Sequence, residues 1–349
     1  MSRPRLRRLA PALDPDALGA ELLGFLGSIE GALGDLAGGD GAPPGFDPRL
    51  FLAPGLPRVR PLLVLLSARA AAAEADGGRA DAEHLHVAAS EDLGAAAELL
   101  HVAVALHDAA LGRQGGRRRR AARRLLSGAA GLLGGNHLTL RALELSRAGG
   151  SPEVVGDMLE AMREIGEAHA IAQRTSGKLP SPEEAAAVAE GHTGAVFAFA
   201  CRAGARLAGG ERRHATSLGR YGRHAGVAWQ IAEEMALLDA RGPDELTALE
   251  DRAERGRAGL ALALAAAAAP PVGEAWARLG RQPSPERARA LVELLHQHGA
   301  LAPARERLVQ ESWRARTALH GLGPSASRDL LEHIVTQLGR TAPEGRGEG

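Results

Sequence analysis

One aspartate stands in an apolar helical stretch that ends in four consecutive arginines, ELLHVAVALHDAALGRQGGRRRR, residues 98–120. Asp108 follows His101 by seven residues, so both lie on one face of a helix. Arg117 and Arg118 come after a glycine-containing loop that could return them to the helix end. A carboxylate, a histidine and guanidinium groups at one place favour a phosphate bridged by a metal ion. The alternative is a core histidine, a surface acid and a solvated basic run.

A second acidic group occurs in GVAWQIAEEMALLDARG. Gln230, Glu233 and Glu234 share one broad helical face, because spacings of three and four bring side chains together. Adjacent acids on an apolar helix can hold Mg²⁺ through oxygen ligands. A solvated acidic edge is the alternative interpretation.

Two further places combine polar groups with apolar helices. Arg58 and Arg60 precede the apolar run PLLVLL, where guanidinium groups beside free backbone donors can form an anion cradle. His192 and Thr193 interrupt the apolar stretch GHTGAVFAFACRAG, and a buried polar pair needs partners such as a ligand phosphate. The alternatives are two solvated linker arginines and an ordinary satisfied core pair.

The elements that must position these residues are predicted to be helices. Aromatic residues make up 3% and apolar residues 45% of the chain, with alanine and leucine dominating, so helices are favoured over strands. PLLVLLSARAAAAEA is apolar nearly all round, as a buried helix is, and Ser-Pro-Glu begins helices after Ser151 and Ser181. We therefore expect an all-α bundle of roughly ten or more helices. The chain is predicted to consist of a flexible N-terminus at 1–20, the helical domain at 21–340 and a disordered tail at 341–349.

Charge and cysteine content exclude several classes of protein. The 42 basic and 42 acidic residues cancel, so no global field favours nucleic acid or an anionic membrane. Cys201 is the single cysteine, which excludes an intramolecular disulfide and suits a reducing cytoplasm. Prolines interrupt the basic start, and no apolar run reaches the roughly 20 residues of a membrane span, so we expect neither signal peptide nor transmembrane segment.

The segments resemble, in the same order, the motifs of the trans-isoprenyl diphosphate synthase (polyprenyl synthetase) family, from about residue 54 to 340. GLPRVRP is similar to the family's GGKxxRP, with Pro57 at the lysine. The stretch around Asp108 matches E-x-x-H, six residues, an aspartate motif and a pair of arginines. Ala109 and Gly112 stand where that motif has its second and last aspartates.

The later motifs are altered in the same way. His192 and Thr193 take the place of a Lys-Thr pair, and Glu233 and Glu234 take the place of two aspartates in the second acidic motif. Arg257 stands at the lysine of the D-L-x-x-G-K stretch.

The resemblance implies an isoprenoid synthase-type bundle around a central cavity, in which Mg²⁺ ions ionise an allylic diphosphate that isopentenyl diphosphate then attacks. It assigns a reduced number of Mg²⁺ ions to Asp108, Glu233 and Glu234. It implies diphosphate binding by Arg58, Arg60, His101, Arg117, Arg118, His192, Thr193, Gln230 and Arg257. It assigns no catalytic residue.

The loss of metal ligands predicts impaired or altered catalysis, because charge on the leaving diphosphate must be neutralised in the transition state. Two alternatives remain: a non-catalytic regulatory subunit of a heteromeric synthase, and a prenyl diphosphate-binding protein. The resemblance implies a homodimer or a heterodimer with an active synthase.

Overall fold

The structure is a computed structural model that describes residues 15–37, 43, 52, 58–75, 87–111 and 129–340. Within these ranges the chain forms fourteen α-helices, one π-helical turn and one 3-10 turn, without any strand. The helices are α1 Pro15–Ala37, α2 Val59–Ala75, α3 Val87–Leu111, α4 Ala129–Gly149, α5 Pro152–Arg174, α6 Pro182–Ala189, α7 Ala195–Leu207, α8 Arg212–Leu238, α9 Pro243–Glu254, α10 Leu260–Ala268, α11 Pro270–Arg281, α12 Pro285–Gln297, α13 Ala302–Ala318 and α14 Ala326–Arg340. The predicted all-α bundle of ten or more helices is confirmed.

The predicted chain ends are described only in part. Helix α1 begins at Pro15, six residues before the expected start of the helical domain at residue 21. Residues 1–14, the tail 341–349 and Arg117 and Arg118 lie outside the described residues.

Helix α7 lies at the centre of the fold and contacts α2, α3, α5 and α8. Most of its residues are buried, and those of the PLLVLL run in α2 are buried on all sides, which confirms the prediction of a buried helix there. The two helices approach so closely that a Cβ on Gly204 would lie 2.1 Å from the carbonyl oxygen of Val64. Burial also raises the pKa of Cys201 in α7 to about 12, so this thiol is an inert core group.

Helix α6 begins after Ser181, as the sequence predicts, and its first turn forms a complete capping box. The Ser181 hydroxyl accepts from the Glu184 amide at 3.2 Å, and the Glu184 carboxylate accepts from the Ser181 amide at 2.9 Å. These bonds fix the start of a short helix that runs directly into the next, irregular element.

A π-helical turn, Glu190–Gly194, connects α6 to α7 and carries His192 and Thr193. Helix α8 packs against it through Gly226, where a Cβ would lie 2.7 Å from the Thr193 carbonyl oxygen. Single π turns inside helices occur often at functional sites because the extra residue redirects nearby side chains.

In the part of the chain that the structure describes, one helical segment, Ala89–Leu111, has the length and hydropathy of a membrane span. In its most apolar window, 67% is buried inside the fold. This burial is what a core helix of the bundle requires.

Candidate functional site

A cavity of about 730 Å³ lies between α3, α5, α6, α8, α9 and the segment after α9. Its apolar lining is mostly small: Ala105, Ala109, Leu111, Ala172, Pro180, Ala185, Val188, Ala248 and Ala258. Its polar lining includes Asp108, His169, Gln173, His192, Gln230, Asp244, Asp251, Arg252, Arg255 and Arg257. A cavity of this size that combines apolar surface with convergent polar groups is typical of a small-molecule site.

Asp108 is surrounded by basic groups. Arg257 Nη1 lies 2.6 Å from Asp108 Oδ2, and the same guanidinium donates to the Asp108 backbone carbonyl. His169 Nε2 lies 3.4 Å from Oδ1, and His192 Nδ1 lies 3.8 Å from Oδ2. Burial opposes ionisation of Asp108, but His192, His169 and Arg257 hold its pKa well below the ordinary value. Asp108 is therefore an anion whose charge is already compensated by the protein.

The two imidazoles at Asp108 come from different elements. His169 lies on α5 and His192 on the π turn, with ring centroids 4.5 Å apart. Burial lowers the pKa of His192 to about 4, against the raising effect of Asp108. At neutral pH this imidazole is uncharged and has a nitrogen lone pair available.

The cluster contains buried polar atoms without hydrogen-bond partners, namely Asp108 Oδ1, His169 Nε2 and His192 Nε2. One ligand atom from each of the three residues can be chosen so that all lie within 4.8 Å of one another. Mg²⁺ requires about six oxygen ligands in near-octahedral geometry. One carboxylate and two imidazoles do not fit a Mg²⁺ cluster.

Glu234, a predicted metal ligand, is buried and bound by protein groups. Its carboxylate accepts from Arg252 at 2.9 Å, from the Ala261 amide at 2.9 Å and from Gln230 at 3.1 Å. Neither Glu234 nor the half-buried Glu233 is among the described residues that line the cavity. The structure thus gives Glu234 the role of holding the segment after α9 against α8.

That segment carries Arg257. Arg252 Nε donates to the Arg257 carbonyl oxygen at 3.1 Å, while its Nη2 binds Glu234. A continuous set of contacts therefore runs from Glu234 through Arg252 and Arg257 to Asp108. These contacts position the guanidinium that compensates the aspartate.

Gln230 and Thr193, both predicted to bind diphosphate, bind each other at the cavity wall. Thr193 Oγ1 donates to Gln230 Oε1 at 2.7 Å, and Gln230 lines the cavity beside His192. The buried polar pair of the π turn thus has one partner within the protein.

Arg58 and Arg60 form a separate buried group around Glu98. Their Nη1 atoms lie 3.5 and 3.1 Å from the Glu98 carboxylate, and Arg60 stacks over Phe197 at 5.5 Å. The pKa of His101 is held well below its ordinary value, chiefly by burial and then by the positive charges of Arg60 and Arg58. None of these described residues lines the cavity, although His101 lies close enough to Asp108 and His192 for both to act on its pKa.

Sequence reasoning missed His169 and Arg252. His169 follows Ile165 by four residues and therefore lies near the buried face of α5, a position where a polar residue signals a partner. Arg252 has no comparable signal, because its partners come from α8 and from the segment after α9.

The sequence and the fold are both similar to those of known prenyl diphosphate synthases. The polyprenyl synthetase family model matches residues 50–247. Octaprenyl diphosphate synthase of Escherichia coli is 27% identical over 290 residues, covering 81% of this chain and 86% of that protein. A polyprenyl synthase from Caulobacter crescentus, solved with calcium and isoprenyl diphosphate, has a TM-score of 0.72 at 28% identity and covers 97% of both chains. A decaprenyl diphosphate synthase from Rhodobacter capsulatus has the same fold, with a TM-score of 0.72 at 23% identity, covering 97% of this chain and 99% of that one.

Proposed function

Because the chain belongs to the polyprenyl synthetase family of trans-prenyl diphosphate synthases, we propose that it binds a prenyl diphosphate in this cavity but carries out chain elongation poorly. The Caulobacter relative, solved with isoprenyl diphosphate, supports the choice of ligand. The proposal that elongation is slow rests on the groups that surround Asp108.

The observation that carries the proposal is the ion pair between Arg257 and Asp108 at 2.6 Å. A leaving diphosphate accumulates charge as the allylic bond breaks, and metal ions held by several carboxylates neutralise that charge. Here the one aspartate left in the first motif is paired with a guanidinium and two imidazoles, and Glu234 is bound by Arg252 and an amide. A cluster of Mg²⁺ ions would first have to displace these partners.

The arginines and the apolar wall of the cavity suit the binding of a prenyl diphosphate without its ionisation. Three guanidinium groups, of Arg252, Arg255 and Arg257, line the cavity, and guanidinium groups bind phosphate oxygens in a bidentate manner. The alanine-rich wall offers apolar surface to a hydrocarbon chain. Three carboxylates, of Asp108, Asp244 and Asp251, line the same cavity, so its arginine and aspartate charges cancel. We therefore expect modest affinity for a diphosphate.

A prenyltransfer assay tests the catalytic half of the proposal. The purified chain is incubated with Mg²⁺, labelled isopentenyl diphosphate and geranyl, farnesyl or geranylgeranyl diphosphate, beside an intact synthase. We expect product formation at least about 10³-fold slower than in the intact enzyme, since removal of even one charge-stabilising donor costs on the order of 10²- to 10³-fold. Rates within about tenfold of the intact enzyme would instead indicate an active synthase with fewer metal ions.

Thermal unfolding tests the binding half. Farnesyl diphosphate in excess chelator should raise the melting temperature, because a ligand at about 100 times its Kd stabilises by about 2.7 kcal/mol. Farnesol, which has the chain without the phosphates, is the matched control and should stabilise less. Equal effects of the two compounds would contradict phosphate recognition.

A regulatory subunit is the second candidate, and the exposed leucines of α4 favour it. Leu132, Leu133 and Leu140 are 38%, 54% and 59% exposed along one side of the helix. Clustered exposed apolar side chains favour a protein contact, here with a second copy of the chain or with an active synthase. Co-purification with an intact synthase from the same organism and a changed product length would support this role. A chain that stays monomeric alone and in the mixture would exclude it.

A further inference from the structure

Three side chains from three separately held elements converge at Asp108. His169 lies on α5, His192 on the π turn and Asp108 near the end of α3. In a tetrahedral site with metal–ligand bonds of about 2.1 Å, neighbouring ligand atoms are about 3.4 Å apart. The distance from His169 Nε2 to Asp108 Oδ1 is 3.4 Å, and that from His192 Nδ1 to Oδ2 is 3.8 Å. One ligand atom from each residue can be chosen so that all three lie within 4.8 Å of one another, so side-chain shifts of about 1 Å would bring them to the spacing of a three-ligand metal site.

Two of the convergent atoms contact no protein partner other than each other. Asp108 Oδ1 and His169 Nε2 are buried and face each other at 3.4 Å without the geometry of a hydrogen bond, which is uncommon for buried polar atoms. The rings are also restrained, because His107 packs edge-on against His169 with ring centroids 5.8 Å apart. Preformed spacing with unsatisfied donor atoms indicates a ligand rather than a packed polar core.

We propose that Asp108, His169 and His192 bind one divalent transition-metal ion of the zinc class. Two imidazole nitrogens and one carboxylate oxygen are ligands of Zn²⁺ and Co²⁺, and three protein ligands leave a fourth position for an exogenous group. All three residues line the cavity, so the fourth position faces it. This site shares Asp108 with the magnesium site that the first aspartate motif implies, but it differs from that site in its two histidines and in its metal.

Arg257 competes with the ion for Asp108. Its guanidinium holds Oδ2 at 2.6 Å, while Oδ1 remains on the side of His169. The carboxylate can therefore serve the arginine with one oxygen and the ion with the other, at the cost of repulsion between two cations. A phosphate oxygen at the fourth position would lie near both cations. The contact with a phosphate oxygen rests on the proposed function, whereas binding of the metal ion does not.

Titration with Co²⁺ tests the site without any prenyl ligand. The full chain is stripped with a chelator and titrated while the visible absorption of tetrahedral Co²⁺ is recorded, and Zn²⁺ is then added as a competitor. We expect one equivalent of Co²⁺ to bind, Zn²⁺ to displace it and a large excess of Mg²⁺ to leave it in place. His169→Gln and His192→Gln should each weaken binding on the order of tenfold or more.

Two further variants separate the proposal from general damage to the fold. His296→Gln removes an exposed histidine paired with Asp239 and should bind Co²⁺ as the wild type does. Arg257→Gln removes the competing cation and should tighten Co²⁺ binding several-fold, a gain that misfolding cannot imitate. The proposal is overturned if the wild type shows no saturable one-to-one binding, or if the His169 and His192 variants bind as tightly as the wild type.

Farnesyl diphosphate added to the metal-free and metal-loaded protein distinguishes this proposal from the proposed function. Binding of Co²⁺ without any effect of farnesyl diphosphate would keep the metal site and reject the prenyl ligand. Stabilisation by farnesyl diphosphate without Co²⁺ binding would keep the ligand and reject the metal site.

Discussion

Replacing Glu234 by glutamine should destabilise the fold, because this carboxylate is bound by protein groups on all sides. It is 3% exposed and accepts from Arg252, from the Ala261 amide and from Gln230, at distances between 2.9 and 3.1 Å. Glutamine keeps one acceptor and turns the other oxygen into a donor that faces existing donors.

The expected size follows from these contacts. Removing one partner of a fully buried ion pair costs about 3–5 kcal/mol. Arg252 is 32% exposed and regains some hydration, so the free energy of unfolding should fall by about 2–4 kcal/mol. Combining Glu234→Gln with Arg252→Ala should be non-additive, with a coupling of about 1–3 kcal/mol, since the two residues are in direct contact.

Urea denaturation followed by circular dichroism measures the effect, and Glu274→Gln is the matched control. Glu274 lies 3.7 Å from Arg278, with side chains 73% and 59% exposed, so its loss should cost less than about 0.5 kcal/mol. The reasoning is refuted if Glu234→Gln is as stable as the control variant. If Glu234→Gln were as stable as the control but lost Mg²⁺-dependent ligand binding, Glu234 would be a metal ligand instead.

Two other predictions use the same denaturation assay. Burial opposes ionisation of Glu311, but His224, Arg307 and Arg314 hold its pKa below the ordinary value of 4.5. Its stabilising effect is thus present above pH 4.5 and disappears as the pH falls through the lower pKa of the folded state, so Glu311→Gln should differ most from the wild type near neutral pH and converge with it in acid. Gly226→Ala should cost about 1–3 kcal/mol, because the new methyl would meet backbone of the π turn. Gly156→Ala, where nothing lies within 4 Å, should stabilise by up to about 1 kcal/mol, and equal effects of the two glycine variants would contradict the close packing of α8.

Much of the fold was predictable because local signals and the fold agree. The Ser-Pro-Glu-Glu opening at Ser181 begins a helix as expected, and the all-round apolar run of α2 is buried. The order of the motifs also led to Asp108, His192, Gln230 and Arg257, which the structure brings to one cavity.

The remaining features depend on partners that are remote in sequence. Arg58 and Arg60 were expected at an anion, and they face the carboxylate of Glu98 on the neighbouring helix. Glu234 was predicted as a metal ligand, and in the structure its carboxylate accepts a hydrogen bond from an arginine 18 residues later. Helical spacing predicts which face a side chain occupies, but it does not predict which other helix will cover that face.

The hydrogen bond from Arg257 to the Asp108 carbonyl has a consequence for the end of α3. The last four carbonyls of a helix have no partner within it, and this end carries the negative pole of the helix dipole. Asp108 places a further negative charge there, three residues before the helix end at Leu111. Arg257 supplies the counter-ion both for the negative end of the helix dipole and for the Asp108 carboxylate. This counter-ion is part of the chain and is not taken from solution. The end of α3 should therefore stay folded in a chelating buffer, and its order should not follow the magnesium concentration around the protein.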